Sequence, residues 1–93
     1  MNESDKELII RFSEGDHLAF NKLYETHCDK LVKYLMFRTR NEASANDIAA
    51  DTWTHIIEKY EYISEKVINE NYAFSALLYT FARNMRSNHY RKK

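Results

Sequence analysis

Ser75, Tyr79, Arg83, Arg86 and Tyr90 follow one another at intervals of four, four, three and four residues, the spacing that lines side chains along one face of a helix. Guanidinium groups and phenol rings in that pattern can hold a polyanion. Arginine forks onto phosphate oxygens, and tyrosine presents a flat face to a base. No carboxylate follows Glu70 to weaken the positive field. The other face of the same segment carries Phe74, Leu77, Leu78, Phe81, Ala82 and Met85 at i, i+3, i+4 spacing, which predicts burial against a core. Cations at a helix C-terminus complement its dipole. That accounts for Arg91 to Lys93 but not for Arg83 and Arg86, which lie one to two turns earlier.

Other chemistry finds little support. His17, His27, His55 and His89 include no pair at i+3 or i+4, and one cysteine, Cys28, offers no second thiol, so no metal site is expected. His27 and Cys28 are adjacent, but neighbours on a helix point about 100° apart and cannot act as base and nucleophile. His27 is therefore expected to be a satisfied helix histidine. A single glycine, Gly15, cannot build a phosphate-cradling loop. The chain is read as a non-enzyme without cofactor.

Two further groups could make contacts. Asp47, Asp51 and Glu58 flank an apolar stripe that includes Trp53, with Thr54 and His55 among them. Such a face is either plain solvated surface or a protein interface of aromatics rimmed by acids, and composition leaves both open. Tyr62 and Tyr72, beside Asn69 and Asn71, could stack on or hydrogen-bond an unpaired base.

The elements that position these groups follow from punctuation and period. Ninety-three residues make one domain with one modest core. The absence of proline and the single glycine favour long helices. Residues 4–13 read as a short helix capped by Ser4 with Glu7. Gly15 suits a left-handed C-cap and Asp16 the next N-cap. A second helix over 17–39 is expected to bury Phe20, Leu23, Tyr24, His27, Leu31, Tyr34 and Leu35. A third, over about 42–60 with Asn41 or Ser44 as cap, carries Ala45, Ile48, Ala49, Thr52, Trp53, Ile56, Ile57 and Tyr60. Residues 61–71 lose the period and read as a loop, after which Asn71 caps the last helix. The fold class is all-α: a small bundle of three long helices and a short N-terminal one.

Charge is divided along the chain. Residues 1–71 hold all 14 acids and nine basic residues, net −5, while residues 72–93 carry +5, so the zero total conceals a polar molecule. This division suggests a polyanionic partner at one end and a different partner for the rest. One unpaired cysteine fits a reducing cytoplasm, and no apolar run is long enough to span a membrane.

Three stretches also resemble region 2 of bacterial RNA polymerase sigma factors, the small extracytoplasmic-function type of the sigma-70 family. Gly15-Asp16, Ala19-Phe20 and Leu23-Tyr24 match the family's opening pattern. Ala45-Asn46-Asp47-Ile48-Ala49-Ala50-Asp51-Thr52-Trp53 is similar to its Ala-Glu-Asp-Leu-Val-Gln-Glu-Thr-Phe helix. Phe74-Ser75-Ala76-Leu77-Leu78-Tyr79-Thr80-Phe81-Ala82-Arg83-Asn84 is similar to Phe-Arg-Ala-Trp-Leu-Tyr-Arg-Ile-Ala-Arg-Asn, with a basic tail behind it. The resemblance implies that Asp47, Ala50, Asp51, Trp53 and Thr54 meet the clamp helices of the largest polymerase subunit. It implies that Tyr62, Asn69, Asn71 and Tyr72 take up a flipped base of the promoter −10 element. Ser75, Tyr79, Arg83, Asn84, Arg86, His89, Arg91 and Lys92 would then grip the opened non-template strand. An anti-sigma factor is a further candidate partner, and a sigma-like interaction module without promoter activity is the alternative. The chain departs from the family pattern at Asn46 (usually Glu), Ala50 (usually Gln) and Leu77 (usually Trp). Ser75 and Thr80 replace basic residues, and the family's second helix-turn-helix domain has no counterpart in residues 1–93.

Overall fold

A computed structural model describes residues 4–91 and contains five helices: α1 (Asp5–Ser13), α2 (His17–Thr39), α3 (Glu42–Glu58), α4 (Tyr60–Ile68) and α5 (Phe74–Arg91). No strand occurs among the described residues. α3 lies at the centre, packed against α2 on one side and α5 on the other, while α1 bridges α2 and α4. The all-α expectation holds.

The helix starts follow from local hydrogen bonding. Ser4 Oγ accepts from the Glu7 amide at 3.2 Å and donates to the Glu7 carboxylate at 3.3 Å, closing the first turn of α1. Gly15 has φ +102°, a conformation that a side chain would strain. Asp16 then accepts from the Leu18 amide at 3.1 Å to open α2, and its carboxylate also binds the Arg11 guanidinium. That cation holds the Asp16 carboxyl below its usual range. Arg40 adopts the left-handed conformation that ends α2, and Asn41 caps α3 by accepting from the Ser44 amide at 2.9 Å.

The core is one cluster. Leu31, Leu35, Ile48, Ile56, Ile63 and Leu78 are sealed from solvent, with Trp53 and Phe74 beside them. Thr52 is buried within α3, and its hydroxyl is satisfied by the Ile48 carbonyl at 2.7 Å. His27 is a satisfied core histidine: its Nε2 lies 2.9 Å from Asp5 Oδ2, and its ring packs 5.3 Å from that of Phe74.

Several expectations need correction. Residues 61–71 are not a loop, because Tyr60–Ile68 form α4 and the irregular link covers only 69–73. The signal was Tyr60, Ile63 and Val67, spaced i, i+3, i+7, whose side chains turn onto α1. Tyr60 fixes the contact. Its hydroxyl donates to the Ile9 carbonyl at 2.7 Å and accepts from Ser13 Oγ at 2.8 Å, while its ring meets Phe12 edge-on at 4.7 Å. A nine-residue helix is marginal by itself, and tertiary packing makes it persist. Tyr60 therefore opens α4 instead of closing α3. Asn71 does not cap α5. It sits at φ +61° with its side-chain oxygen accepting from Lys6 Nζ at 3.3 Å, and the Ala73 carbonyl receives the first α5 amide, that of Leu77. Tyr24 and Ile57, expected in the core, are largely exposed at the bundle surface.

Candidate nucleic-acid interface

α5 displays the face that its spacing predicted, in a graded form. Ser75, Tyr79 and Arg86 are half-buried, while Arg83 is exposed. Among the described residues neither Arg83 nor Arg86 pairs with a carboxylate; the Arg83 guanidinium donates only to Thr80 Oγ1, at 3.4 Å. These cations are thus available to an external anion. Tyr79 is held from below by Tyr34 of α2, with ring centroids 5.0 Å apart at 71°. Partial burial and the neighbouring Tyr34 push the Tyr79 phenol above the usual range, so it is a neutral donor at physiological pH.

Not every predicted residue shares this face. At 100° per residue, Asn84 lies well round the helix from Tyr79 and Arg86. His89 turns towards α3, where it lines a cleft of about 220 Å³ with Asp51, Thr54, His55, Glu58, Met85 and Asn88. Arg91 ends α5 in an exposed position, and Lys92 lies outside the described residues.

The junction of α4 and α5 forms a second cluster. Tyr62 and Tyr72 are each half-exposed, and the Lys66 ammonium stands between them, 5.6 Å from one ring centroid and 5.2 Å from the other. Lys66 Nζ also binds the Glu70 carboxylate at 3.0 Å, which raises the ammonium pKa, and the Lys66 carbonyl accepts from the Tyr72 amide at 3.0 Å. Asn69 and Asn71 are exposed beside this group, with Lys6 of α1 tethering Asn71. Sequence reasoning named both tyrosines and missed Lys66. Its position four residues after Tyr62 becomes meaningful only once residues 60–68 are read as a helix.

On α3, Asp47, Ala50, Asp51 and Thr54 are exposed at i, i+3, i+4 and i+7 and form a continuous outer face. Trp53 does not belong to it. At 6% exposure it is a core residue, packed among Phe20, Tyr24 and Phe74, and its indole N–H has no hydrogen-bond partner. The i, i+4 stripe that includes Ala49 and Ile56 carries it inward. Its expected surface contact is replaced by a supporting position beneath the acidic face.

An acidic face on α3 and a basic aromatic face on α5 are thus set on one rigid core. The sigma-70 region 2 family model matches residues 23–93. The chain belongs to the sigma-70 region 2 family. A similar protein is the ECF RNA polymerase sigma factor BldN of Streptomyces coelicolor, 27% identical over 85 residues, which cover 91% of this chain and 31% of that protein. The chain therefore spans about a third of the length of the curated relative that it matches. No solved structure matches it. The family match begins at Leu23 in α2 and includes α3, α4 and α5, and hence both faces of this region 2 domain. Among the described residues no group of side chains could hold a metal ion, and no helix is long and apolar enough to cross a membrane.

Proposed function

We propose that this region 2 domain acts in transcription initiation as an extracytoplasmic-function sigma module, joining the RNA polymerase core to an opened −10 promoter strand. The observation that carries the reading is the segregation of charge on the family scaffold. α3 has four acidic residues and no lysine or arginine, whereas α5 has three arginines and no acid. Asp47, Ala50, Asp51 and Thr54 meet the clamp helices of the largest polymerase subunit, where the two carboxylates face basic groups. Trp53 keeps that helix in place from beneath. Tyr62 and Tyr72 receive a flipped base, with Asn69 and Asn71 at the rim. Tyr79, Arg83 and Arg86 hold the non-template strand, and Arg91 and Lys92 extend the basic end; Ser75 begins the face without a charge.

The energetics are consistent with this division of work. Extruding a base costs a few kcal/mol, offset by about 1–3 kcal/mol for each base stacked on an aromatic ring and by phosphate contacts. An anti-sigma factor that covers either face would block the domain.

The deciding experiment is a pull-down of RNA polymerase core with the chain at low salt, followed by capture of single-stranded −10-like DNA by the complex. Strand binding that needs core and falls as salt rises supports the reading. Absence of core association removes it. Core association without any strand binding favours instead a sigma-like interaction module, a reading supported by Ser75 and Thr80, which leave the first turns of α5 uncharged.

A further inference from the structure

The C-terminal half of α2 carries a surface that neither face above uses. Lys30, Lys33, Arg38 and Arg40 lie there, with no acidic residue between Asp29 and Glu42. Complementing the helix dipole accounts for Arg38 and Arg40, but the dipole's effect fades within the last turn, and Lys30 lies well before it. Phe37 sits among these cations at 81% exposure, more open than any other large apolar side chain among the described residues. Lys30 with Tyr34, Lys33 with Phe37 and Tyr34 with Arg38 are i, i+4 neighbours, so the cations and rings interleave on one side of the helix.

This surface is continuous with α5. The Arg38 guanidinium lies over the Tyr34 ring, 5.0 Å from its centroid, and the Tyr34 ring meets Tyr79 of α5 at 5.0 Å. Tyr79 stands one turn from Arg83 on α5. A series of cation and rings therefore crosses from one helix to the other. Basic and aromatic groups alternating along a stretch with no carboxylate between Asp29 and Glu42 match the charge and the stacking needs of an unpaired nucleic-acid strand.

We propose that the C-terminal half of α2 is a second arm of the strand-binding surface, with Phe37 as a platform for one unpaired base and Lys33 and Arg38 as flanking phosphate contacts. The proposal rests on the strand-binding reading of α5 and extends it to a neighbouring helix. The strand crosses the seam at Tyr34 and Tyr79, so the nucleotides held by α2 adjoin those held by Arg83 and Arg86.

The test uses the full chain assembled with RNA polymerase core and a fluorescent single-stranded −10-like oligodeoxynucleotide, titrated at several salt concentrations. Phe37→Ala is expected to weaken strand binding at least about fivefold, the low end of what one stacked base contributes, while Phe37→Trp retains it. Arg38→Ala is expected to lower the salt slope by about 0.7, the value for one phosphate contact on a single strand. Phe37 is exposed, so its thermal unfolding should match that of the wild type. If the wild-type complex binds the strand and both variants bind it equally well at every salt concentration, the proposal is overturned and the α5 reading stands. Loss of core association in Phe37→Ala, with strand binding per complex unchanged, also overturns it by assigning the surface to polymerase. If the wild-type complex binds no strand, the α5 reading fails first and this one with it.

Discussion

α3 and α5 are nearly the same helix in length, 17 and 18 residues, and each buries an apolar stripe in the shared core. Their solvent faces are opposites: carboxylates without a lysine or arginine on α3, guanidinium groups without a carboxylate on α5. The comparison separates two functions of one amphipathic pattern. The apolar stripe decides where a helix sits, and the polar face decides what can approach it. A cleft lined by Asp51 and Thr54 of α3 and by Met85 and His89 of α5 runs between these two helices, so the domain carries surfaces of opposite sign on neighbouring helices.

The largest effect is expected where the stripe itself is broken. Trp53→Ala removes a ring packed against Phe20, Tyr24 and Phe74 and should cost about 3–5 kcal/mol in urea unfolding. Trp53→Phe leaves a ring in place and removes an indole N–H that has no partner. It should cost under about 1.5 kcal/mol, because the lost packing is partly offset by the polar group no longer buried unpaired. Both variants losing core binding in proportion to stability would keep Trp53 in its supporting place. A folded Trp53→Phe that no longer binds core would instead move Trp53 into the interface and blur the division between stripe and face.

Next in size is the basic face. Arg83→Ala with Arg86→Ala should leave unfolding nearly unchanged, since neither residue has a carboxylate partner among the described residues. Strand binding by the core complex should fall about tenfold or more at low salt, and its salt slope should drop by about 1.4, two phosphates at about 0.7 each. The mirror variant, Asp47→Ala with Asp51→Ala, should weaken core association several-fold and leave the strand affinity of assembled complexes unchanged. If each pair affects both partners equally, the two faces do not act separately.

How far these features could be read from the sequence depended on how much tertiary information each required. α2, α3 and α5 announced themselves because long stripes such as Ile48, Thr52 and Ile56 repeat over several turns. α4 did not, since two buried residues, Ile63 and Val67, are too few to display a period. What makes it a helix is Tyr60 reaching to α1 at Ile9 and Ser13, a contact about fifty residues distant in sequence. Lys66 was hidden for the same reason. The periodicity puts Trp53 in the apolar stripe, where it lies. The surface contacts of Trp53 and His89 come from the family resemblance, and the structure sets one beneath the acidic face and the other in the cleft with α3. The Arg83 and Arg86 spacing was legible because it needs only the helix's own geometry.

The smallest effect concerns Tyr79, a ring on the α5 face that Tyr34 of α2 anchors. Its phenol is raised above the usual range by burial and by Tyr34, and Tyr60 is raised by burial, with the hydrogen bond from Ser13 acting the other way. A raised phenol binds its proton more tightly in the folded chain than in the unfolded one. The corresponding stability is present below the ordinary tyrosine value of about 10 and is lost as pH rises through the folded-state values. Urea unfolding compared at pH 8 and above pH 10 should show this loss in the wild type and a smaller one in Tyr79→Phe. The same ionisation would place an anion one turn from Arg83, so on the proposed function strand affinity of the core complex should fall over the same alkaline range. Tyr79→Phe separates the two consequences. If its strand affinity still falls as steeply as that of the wild type, the ionising group lies elsewhere, and Tyr79 serves the basic face only as an anchored ring.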